Sequence, residues 1–329
     1  MTRSFDLPGL RLGLGLAAVG RPAYITLGRA HDLGGERSGE TMYTHACAVL
    51  DAGWAAGVRY FDVARSYGRA EEFLARWLEA RGIPAGAVTI GSKWGYRYTA
   101  DWRLDASVHE QKEHSLARFH TQLAESKALL GDRLALYQIH SATLESGCLD
   151  DQPLLEALVA GREAGAYGAL GLTLTGARSA ATLERALAAR VNGVRVFDVV
   201  QATFNLLEPS LAAGLEAARS CGLRVIAKEV FANGRLSPAN ERPADAPLRA
   251  ALEALAADAG LSVDQLAVAW VLSHPFVDVA LSGAATPAQV ASHAAAAGQT
   301  LSSATREPLA RYAEPVEQYW STRASLPWS

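Results

Sequence analysis

Short apolar runs alternate with amphipathic, alanine-rich segments along almost the whole sequence. The apolar runs, rich in leucine or β-branched residues, predict strands at residues 10–17, 58–63, 87–92, 133–139, 168–173, 196–201, 223–227 and 277–281. The segments between them predict helices over residues 41–56, 69–81, 107–130, 151–164, 177–190, 208–220, 248–259 with 263–273, and 286–297. Eight strands alternating with helices, and no linker among them, predict an α/β fold: a single (β/α)8 barrel of the TIM type, with residues 1–329 as one domain.

The two ends of the chain lie outside this alternation. Residues 5–9 precede the first strand, and we predict that they form a short β-hairpin that closes the bottom of the barrel. The tail over residues 314–329 contains Tyr319, Trp320 and Trp328 but has no strand to pair with. We expect it to fold over the face of the barrel at which the strands end.

Composition narrows the class of protein. The 329-residue chain has a formal net charge of −3, which gives no electrostatic reason to expect nucleic acid or an anionic membrane as a partner. Cys47, Cys148 and Cys221 lie far apart without CxxC spacing, so neither a disulfide framework nor a metal site is predicted. The N-terminus lacks a signal-peptide pattern, and no apolar run reaches membrane-spanning length. We therefore expect a cytoplasmic enzyme, a monomer or small homo-oligomer, whose partner is a small molecule.

Polar side chains stand at the ends of three successive predicted strands. Asp62 ends the second strand, with Tyr67 five residues later, Lys93 ends the third, and His140 ends the fourth. In a (β/α)8 barrel the carboxyl ends of the strands carry the active site. Because neighbouring strands lie about 5 Å apart, these four side chains are expected to converge.

The four residue types together suit proton transfer at a carbonyl or alcohol oxygen. Tyrosine has an ordinary pKa near 10, and a buried ammonium beside Tyr67 is expected to lower it. Asp62 would hold Lys93 charged and oriented, and His140 would donate a hydrogen bond to the polarised oxygen. None of these side chains carries hydride, so the pattern predicts a cofactor that does.

At these residues the sequence resembles the aldo-keto reductase family. Residues 57–68 with Glu71, residues 90–93 and residues 134–140 are similar to its signature, its lysine segment and its histidine strand. The similarity continues, in order, through residues 171–173, 200–207, 227–236 and 282–289. The resemblance implies an NAD(P)-dependent oxidoreductase that acts on aldehydes, ketones, alcohols or sugar hydroxyls, with Tyr67 as general acid and base.

The resemblance also implies positions for a nicotinamide cofactor. Thr173 stands where the family holds the carboxamide, and Gln201 looks like the glutamine that supports the nicotinamide. Residues 229–236 look like the loop that crosses the pyrophosphate, and residues 282–289 like the adenosine-end loop, which leads into a helix whose N-terminus favours an anion. The cofactor-binding residues implied are Gly15, Leu16, Thr173, Gln201, Phe231, Gly234, Ser282, Gly283 and Gln289.

Several positions depart from the family pattern. Leu174 stands in place of an asparagine, and Lys228 and Glu229 in place of an aromatic residue and a serine. Gly283, Ala285 and Gln289 stand where members that use NADP place arginine or lysine, which typically bind a 2′-phosphate. We therefore expect NAD rather than NADP.

Two further motifs are interpreted as carrying no chemistry of their own. Residues 13–18 match the G-x-G-x-x-A dinucleotide fingerprint, but no helix follows, so we assign them to the first barrel strand and the loop after it. The pair His109 and His114 lies five residues apart on the helix predicted over 107–130, so the two histidines would not share a metal ion. We interpret this stretch as a solvent-exposed helix face.

The sequence constrains the substrate least. The loop after Lys93 and the tail suggest Trp94, Tyr96 and Trp320 as walls of a substrate pocket, which suit a small carbonyl compound or a sugar ring equally. Two other classes fit the barrel. One is a nicotinamide-binding regulatory or redox-sensing subunit with little turnover, and the other is a phosphate-binding lyase or isomerase that works without nicotinamide.

Overall fold

Residues 7–328 are described by a computed structural model, and most of them surround a closed barrel of eight parallel strands. These residues form twelve strands: β1 Leu12–Gly15, β2 Tyr60–Asp62, β3 Thr89–Trp94, β4 Tyr96–Tyr98, β5 Glu110–Lys112, β6 Leu134–Ala142, β7 Ala169–Leu174, β8 Arg190–Val191, β9 Val194–Arg195, β10 Val199–Thr203, β11 Arg224–Lys228 and β12 Val279–Ser282. The barrel is closed in the order β1-β2-β3-β6-β7-β10-β11-β12, so each barrel strand lies beside the one that precedes it in the chain. The predicted (β/α)8 barrel is thus confirmed.

Twelve α-helices accompany the strands in the described part of the chain: α1 Arg29–Leu33, α2 Gly39–Ala55, α3 Ala70–Ala80, α4 Leu116–Leu130, α5 Gln152–Glu163, α6 Ser179–Ala188, α7 Ala212–Ser220, α8 Ala246–Asp258, α9 Val263–Leu272, α10 Pro287–Ala296, α11 Ser303–Leu309 and α12 Val316–Ala324. Short 3₁₀ helices lie at Gly131–Arg133, Leu144–Ser146, Ala232–Gly234, Pro243–Asp245 and Ala310–Tyr312. All eight predicted barrel strands are present, and α1, α11 and α12 are additional to the predicted helices.

Capping side chains explain where several helices begin. The Asp151 carboxylate accepts a hydrogen bond from the Leu154 backbone N–H at 3.1 Å, at the start of α5. The Thr286 hydroxyl does the same for Gln289 at 3.2 Å, with Pro287 at the first position of α10. Both contacts satisfy backbone donors that the first turn of a helix leaves unpaired.

The prediction of a helix over residues 107–130 was wrong in its first part. Residues 110–112 form β5, which pairs with β4 in an antiparallel hairpin that rises from the end of β3, and α4 begins only at Leu116. The His109 ring lies buried against Trp328, with ring centroids 4.3 Å apart. His114 is half-buried, and its Nε2 lies 2.8 Å from the His140 carbonyl oxygen. The expected solvent-exposed helix face is therefore a strand and loop that pack on the barrel.

The barrel interior separates an apolar lower half from a polar upper end. Inward-facing side chains from successive strands form an apolar cluster: Tyr60, Leu136, Ala169, Val199, Ile226, Val279 and Leu281. Leu7 packs against this cluster from below. Apolar side chains therefore fill the lower half, and the polar side chains that end the strands lie above them.

The two chain ends were predicted to cover opposite faces. The N-terminal hairpin was predicted for residues 5–9, of which Phe5 and Asp6 lie outside the described residues, and Leu7 to Arg11 form no strand. The tail does fold over the upper face, where Arg323 of α12 and Trp328, four residues beyond that helix, line the cavity at the strand ends. An isolated antiparallel bridge between Ile25 and Trp328 fixes the end of the tail.

Among residues 7–328 no single helix is long and apolar enough to cross a membrane, although the bent pair Pro243–Asp258 and Val263–Leu272 passes on length and composition alone.

Candidate active site

A cavity of about 330 Å³ lies at the carboxyl ends of the barrel strands, beneath the C-terminal tail. We call it the top cavity. Many of the residues singled out from the sequence line it: Gly15, Asp62, Tyr67, Tyr96, His140, Thr173, Gln201, Phe231, Gly234, Ser282 and Gly283. Barrel closure is what brings them together, because they come from loops and strand ends that span most of the chain.

Asp62 and Lys93 form a buried ion pair at the floor of the top cavity. Lys93 Nζ donates to Asp62 Oδ1 and, at 2.9 Å, to the Val63 carbonyl, and each side chain is at most 3% exposed. The other carboxylate oxygen of Asp62 accepts from the Tyr60 hydroxyl at 3.1 Å and from Gln201 Nε2 at 2.9 Å. A buried carboxylate with three donors is well satisfied, so the pair is a rigid platform beneath the cavity.

Tyr67 lies beside this pair and faces a second cation. Lys93 Nζ is 4.7 Å from the centre of the Tyr67 ring, and the Arg21 guanidinium carbon is 5.3 Å from it. Burial and then the negative charge of Asp62 raise the pKa of Tyr67 well above its ordinary value, while Arg21 acts in the opposite direction. The lowering expected from a buried ammonium beside the ring is not found, because burial and the Asp62 charge outweigh the nearby cations. These surroundings favour the protonated phenol.

His140 stands across the cavity from Tyr67 in the neutral form. Its ring lies edge-on to those of Tyr67 and Tyr96, at centroid distances of 5.5 and 4.9 Å. Burial, and then the positive charge of Lys93, lowers the pKa of His140 well below its ordinary value. Its Nδ1 lies 3.4 Å from the Ser66 hydroxyl. When that hydroxyl donates to Nδ1, the other ring nitrogen carries the proton and is a hydrogen-bond donor.

The strand that carries His140 ends irregularly, and this affects Thr173. The register between β6 and β7 shifts between Ile139 and Ala142, and Ser141 has a φ of 56°. The Ser141 backbone N–H donates to the Thr173 hydroxyl at 2.7 Å. Thr173 thereby keeps its own hydroxyl proton for a partner in the cavity. Leu174, the departure noted beside it, is fully buried in the apolar core instead.

Lys228 and Glu229, the other departures from the family pattern, belong to a second buried charge cluster with Arg323. Arg323 Nε donates to both carboxylate oxygens of Glu229, at 2.9 and 3.0 Å. The Thr203 hydroxyl donates to Glu229 at 3.0 Å and accepts from Lys228 Nζ at 2.9 Å. Burial raises the pKa of Glu229, but Arg323 and Lys228 outweigh it and bring it to about 2. Burial lowers the pKa of Lys228 to about 8.

Arg21 and Glu110 form a third ion pair in the wall of the top cavity. Arg21, 2% exposed, comes from the loop after β1, and its Nη1 donates to Glu110 Oε2 at 2.7 Å. Glu110 comes from the β4–β5 hairpin. The rings of Tyr24 and Trp328 lie within about 5 Å of the guanidinium carbon. The first loop, the hairpin and the tail therefore meet at Arg21.

A loop with an unusual backbone leads from the top cavity to a second cavity. Glu229, Ala232, Asn233 and Gly234 all have positive φ, between 46° and 91°. Such conformations cost free energy and concentrate at ligand-binding loops. Asn233 Nδ2 donates to the Ile25 carbonyl at 2.8 Å, whereas Asn233 Oδ1 is buried without a partner and belongs to the wall of the top cavity.

A second cavity, of about 430 Å³, adjoins the first, and we call it the side cavity. The two share lining residues: Ala18, Thr26, Phe231, Gly234 and Gly283. Gln289 lies in the side cavity, where its amide donates to Asp32 at 2.8 Å and accepts from the Ala285 backbone N–H at 2.8 Å. A Cβ at Gly283 would meet no atom within 4 Å.

Two carboxylates and one arginine provide the full charges that line the side cavity. The Asp264 carboxylate lies 3.3 Å from His293 Nε2 and accepts from the Ser292 hydroxyl at 2.8 Å. Asp32 is the second carboxylate. The Arg29 guanidinium donates to the Ala18 and Pro22 carbonyls, at 2.7 and 2.8 Å. The wall therefore carries more negative than positive charge, and its one arginine is already engaged with backbone.

Lys93 lies beneath the lining of the top cavity, and three further residues named from the sequence line neither cavity. Leu16 is 1% exposed and packs in the apolar layer between barrel and helices. Trp94 lies on the outward face of β3, fully buried against Phe119 at a centroid distance of 5.3 Å. Trp320 packs against Tyr319 on the tail helix, outside the cavity lining. Side chains alternate along a strand, so the residue after inward-facing Lys93 necessarily faces outward.

The sequence analysis missed several cavity residues. Arg21, Tyr24, Glu110 and Arg323 line the top cavity, and Trp328 rather than Trp320 is the tail tryptophan that lines it. Arginines and glutamates are common at the surface of any chain, and nothing local marks these as buried. Only the run of arginine and aromatic residues that follows β1 was an available signal.

Comparison with known proteins identifies the family and agrees with the barrel fold. The model of the Aldo/keto reductase family matches residues 24–309. Among solved structures, an aldo-keto reductase from Bacillus halodurans in its holo form is 19% identical, with 94% of this chain and 95% of that chain covered and a TM-score of 0.70. An aldo-keto reductase from Klebsiella pneumoniae in complex with NADPH is 21% identical, with 93% of each chain covered and a TM-score of 0.66. No curated protein sequence matches the chain.

Proposed function

The chain belongs to the aldo/keto reductase family and is an oxidoreductase, and from that premise we propose that it interconverts an aldehyde or ketone with the corresponding alcohol or sugar hydroxyl, using a nicotinamide cofactor. The observation that carries this proposal is the position of Tyr67, between a buried ion pair and a neutral histidine in the top cavity. That is where a polarised oxygen would be protonated.

The residues of the two cavities fit a dinucleotide. The adjoining top and side cavities suit an elongated ligand, and the buried, unpartnered Asn233 Oδ1 offers an acceptor in the wall of the top cavity, next to the shared Gly234. Thr173 and Gln201 would hold the nicotinamide end, Phe231 and Gly234 the middle, and Gly283 with Gln289 the adenosine end. When bound, the cofactor supplies or accepts the hydride that no side chain carries.

The chain's own residues would manage the proton. In reduction, His140 donates a hydrogen bond from its protonated ring nitrogen to the carbonyl oxygen, and Tyr67 gives its phenolic proton to the same oxygen. Because the pKa of Tyr67 is raised, the phenol keeps its proton at neutral pH until the oxygen demands it. In oxidation the same group takes the proton back. Lys93 and Asp62 hold the tyrosine in place throughout.

NAD is the proposed cofactor. A 2′-phosphate in the side cavity would face Asp32 and Asp264 and would find Gln289 already bonded at both ends of its amide. Arg29, the cation in that wall, is engaged with backbone carbonyls. A ribose with both hydroxyls free suits carboxylate acceptors better than a phosphate does.

The substrate is proposed to be uncharged. Each cation that lines the top cavity already has a carboxylate partner: Arg21 with Glu110, and Lys228 and Arg323 with Glu229. A substrate carboxylate or phosphate would have to displace one of these partners and leave it buried and unpaired. The aromatic rings of Tyr24, Tyr96 and Trp328 provide apolar walls for a neutral molecule.

The test is a panel of aldehydes, ketones, alcohols and aldoses, including matched pairs of acid and methyl ester. Turnover is followed by nicotinamide absorbance with NAD and with NADP, in both directions. We expect turnover of uncharged members with NAD. Tyr67→Phe is expected to lower kcat about 10³-fold and to leave the Kd for cofactor unchanged. Tyr98→Phe, which removes a hydroxyl on the hairpin away from the cavity lining, is the matched control.

Four outcomes would contradict the proposal in different ways. Near-normal rates for Tyr67→Phe would refute its acid–base role, and a strong preference for NADP would refute the choice of NAD. Better turnover of the acids than of their esters would refute the uncharged substrate. Tight cofactor binding with no turnover across the panel would instead favour a redox-sensing subunit.

A further inference from the structure

Arg21 is a buried arginine that the proton transfer described above does not use. It is 2% exposed, and its guanidinium carbon lies 5.3 Å from the centre of the Tyr67 ring. Lys93 Nζ lies 4.7 Å from the same ring. The tyrosine therefore has two cations close to its ring, from the loop after β1 and from β3.

Separate parts of the chain hold Arg21 in this position. Its Nη1 donates to the Ser66 carbonyl at 2.9 Å and to Glu110 Oε2 at 2.7 Å. Ser66 directly precedes Tyr67, so the first bond ties the guanidinium to the backbone of the tyrosine itself. Trp328, from the C-terminal tail, lies 5.0 Å from the guanidinium carbon and stacks on His109 of the hairpin. The geometry around Arg21 thus depends on both segments that reach over the top cavity.

Arg21 differs from an ordinary structural arginine in what it contacts. Arg29, close to it in sequence, donates its hydrogen bonds to backbone carbonyls, as a structural arginine does. Arg21 has a buried Nε with no hydrogen-bond partner, and its charge lies against three aromatic rings, those of Tyr24, Tyr67 and Trp328. Leaving a buried donor unpaired costs free energy. The surroundings of Arg21 therefore fix the position of its positive charge and leave one of its hydrogen-bond donors unsatisfied.

We infer that Arg21 is a positioning residue for the proton-donating Tyr67. It holds the phenol against Lys93, and it links that position to the β4–β5 hairpin through Glu110 and to the tail through Trp328. The inference rests on the proposed function in one respect, the role of Tyr67 as acid and base. It adds a cation to the four residues predicted from the sequence. It also means that catalysis depends on the hairpin and the tail being well ordered.

Other charged and titratable groups also act on Tyr67. Besides Arg21 they come from β2, β3, the hairpin, β6, the loop after β1 and the loop after β11: Asp62, Tyr60, Lys93, Glu110, His140, Tyr24 and Glu229. Among them, Glu110 raises and Arg21 lowers the pKa of Tyr67, although the two form one ion pair. Because the two charges act on the pKa of Tyr67 in opposite directions, removing them one at a time separates an electrostatic role of Arg21 from a purely structural one.

The experiment compares Arg21→Met, Arg21→Lys and Glu110→Gln. The pH dependence of kcat/KM is measured for alcohol oxidation, in which Tyr67 acts as the base. Because Tyr67 must be deprotonated to act as the base, its pKa sets the ascending, low-pH limb of this profile. Arg21→Met removes the cation and is expected to move that limb about one pH unit upward, whereas Glu110→Gln leaves the cation uncompensated and is expected to move it about one unit downward. Arg21→Met is also expected to lower kcat about 10-fold with the Kd for cofactor unchanged. Arg21→Lys retains the charge and should recover most of the shift.

Arg37→Met is the matched control. Arg37 lies in the same N-terminal region and donates to the Pro22 backbone carbonyl at 2.6 Å, but it contacts neither Tyr67 nor the top cavity. Its pH profile is expected to match that of the wild type. Shifts of Arg21→Met and Glu110→Gln in the same direction, or no shift in either, would overturn the inference. Both variants break the same ion pair, so a purely structural effect would move the two pH profiles in the same direction.

A second measurement keeps this result distinct from the proposed function. Ionisation of Tyr67 is followed by ultraviolet difference absorbance in each variant, with Tyr67→Phe in the same background as reference. Opposite shifts in this titration support Arg21 even if the wild type turns over no substrate of the panel, in which case the proposed function alone fails. If Arg21→Met does not fold, the other two variants decide. A downward shift for Glu110→Gln and a near-wild-type profile for Arg21→Lys support the inference. An unshifted profile for Glu110→Gln overturns it.

Discussion

Two buried charge clusters lie in the top cavity, and they are built differently. The strand-end cluster, made of Asp62 and Lys93, joins the ends of two adjacent barrel strands. The tail cluster, made of Lys228, Glu229 and Arg323, joins a strand end to a helix that lies 94 residues further along the chain. The strand-end cluster is almost fully enclosed, whereas in the tail cluster Arg323 is 24% and Lys228 16% exposed.

The clusters differ in the hydrogen-bond and ion-pair partners that each carboxylate keeps when its main cation is removed. Asp62 would keep only the neutral donors Tyr60 and Gln201. Glu229 would keep a second cation, Lys228 at 3.8 Å, in addition to the Thr203 hydroxyl. We therefore interpret the strand-end cluster as essential for folding. The tail cluster can lose one ion pair at a smaller cost, which suits a segment that covers a cavity into which ligands must enter.

The largest effect is expected from Lys93→Met. This variant leaves the Asp62 carboxylate buried without a cation, which typically costs about 3–5 kcal/mol. The free energy of unfolding, measured by urea denaturation, should fall by that amount. Lys127→Met is the control, since Lys127 forms a largely exposed pair with Asp132 at 3.1 Å and should cost under about 1 kcal/mol.

A smaller effect is expected from Arg323→Met. Because Lys228 and Thr203 still contact Glu229, the free energy of unfolding should fall by only about 2 kcal/mol. The tail should at the same time become more susceptible to limited proteolysis, since Arg323 anchors it to the barrel. A loss equal to or larger than that of Lys93→Met would show that the tail cluster is no less obligatory than the strand-end cluster. Arg311→Met, at an exposed position before α12, should change neither measurement.

The smallest effect is confined to acid. Glu229 has a pKa of about 2 in the folded chain against an ordinary 4.5, so between these values the unfolded chain binds more protons. The stability that this group contributes is fully present above about pH 4.5 and is lost as the pH falls toward 2. Melting temperature measured against pH should therefore fall less steeply in this window for Glu229→Gln than for the wild type.

The acid prediction has its own control on α12, the helix that carries Arg323. Glu317 is exposed on α12, and Glu317→Gln should retain the wild-type dependence on pH. Parallel curves for Glu229→Gln and the wild type would mean that the tail cluster contributes no acid sensitivity, and the contrast between the two clusters would then lose its electrostatic basis.

Much of the barrel follows from periodicity. All eight strands were predictable because each is a short apolar run between helical segments, and a parallel strand buried on both faces has that appearance. The hairpin at residues 96–112 was not predicted, because its strands are three residues long and largely polar, and its second strand falls within the helix predicted over residues 107–130. That the whole chain forms one domain stays a prediction, as do the catalytic and cofactor-binding roles of the residues named.

The candidate site also contains residues that could be predicted from the sequence and residues that could not. Asp62, Lys93 and His140 were found because strand ends are recognisable in a sequence and a barrel collects them at one face. Trp94 was misassigned because the period of two along a strand was not applied to the residue that follows Lys93. Trp320 was chosen over Trp328 since nothing in the tail sequence indicates which of the two turns inward.

The sequence by itself determined the barrel, the face on which chemistry would occur and the residue types that end its strands, because these depend on local periodicity and on one rule of barrel geometry. For the loops and the tail, the tertiary structure alone decided which cation neutralises which carboxylate. Arg21 meets Glu110 across 89 residues and Arg323 meets Glu229 across 94, and no local pattern encodes a pairing at such separations. Those pairings, made when loops and tail close over the barrel, set the charge around Tyr67 and the charge balance of the cavity that the substrate must enter.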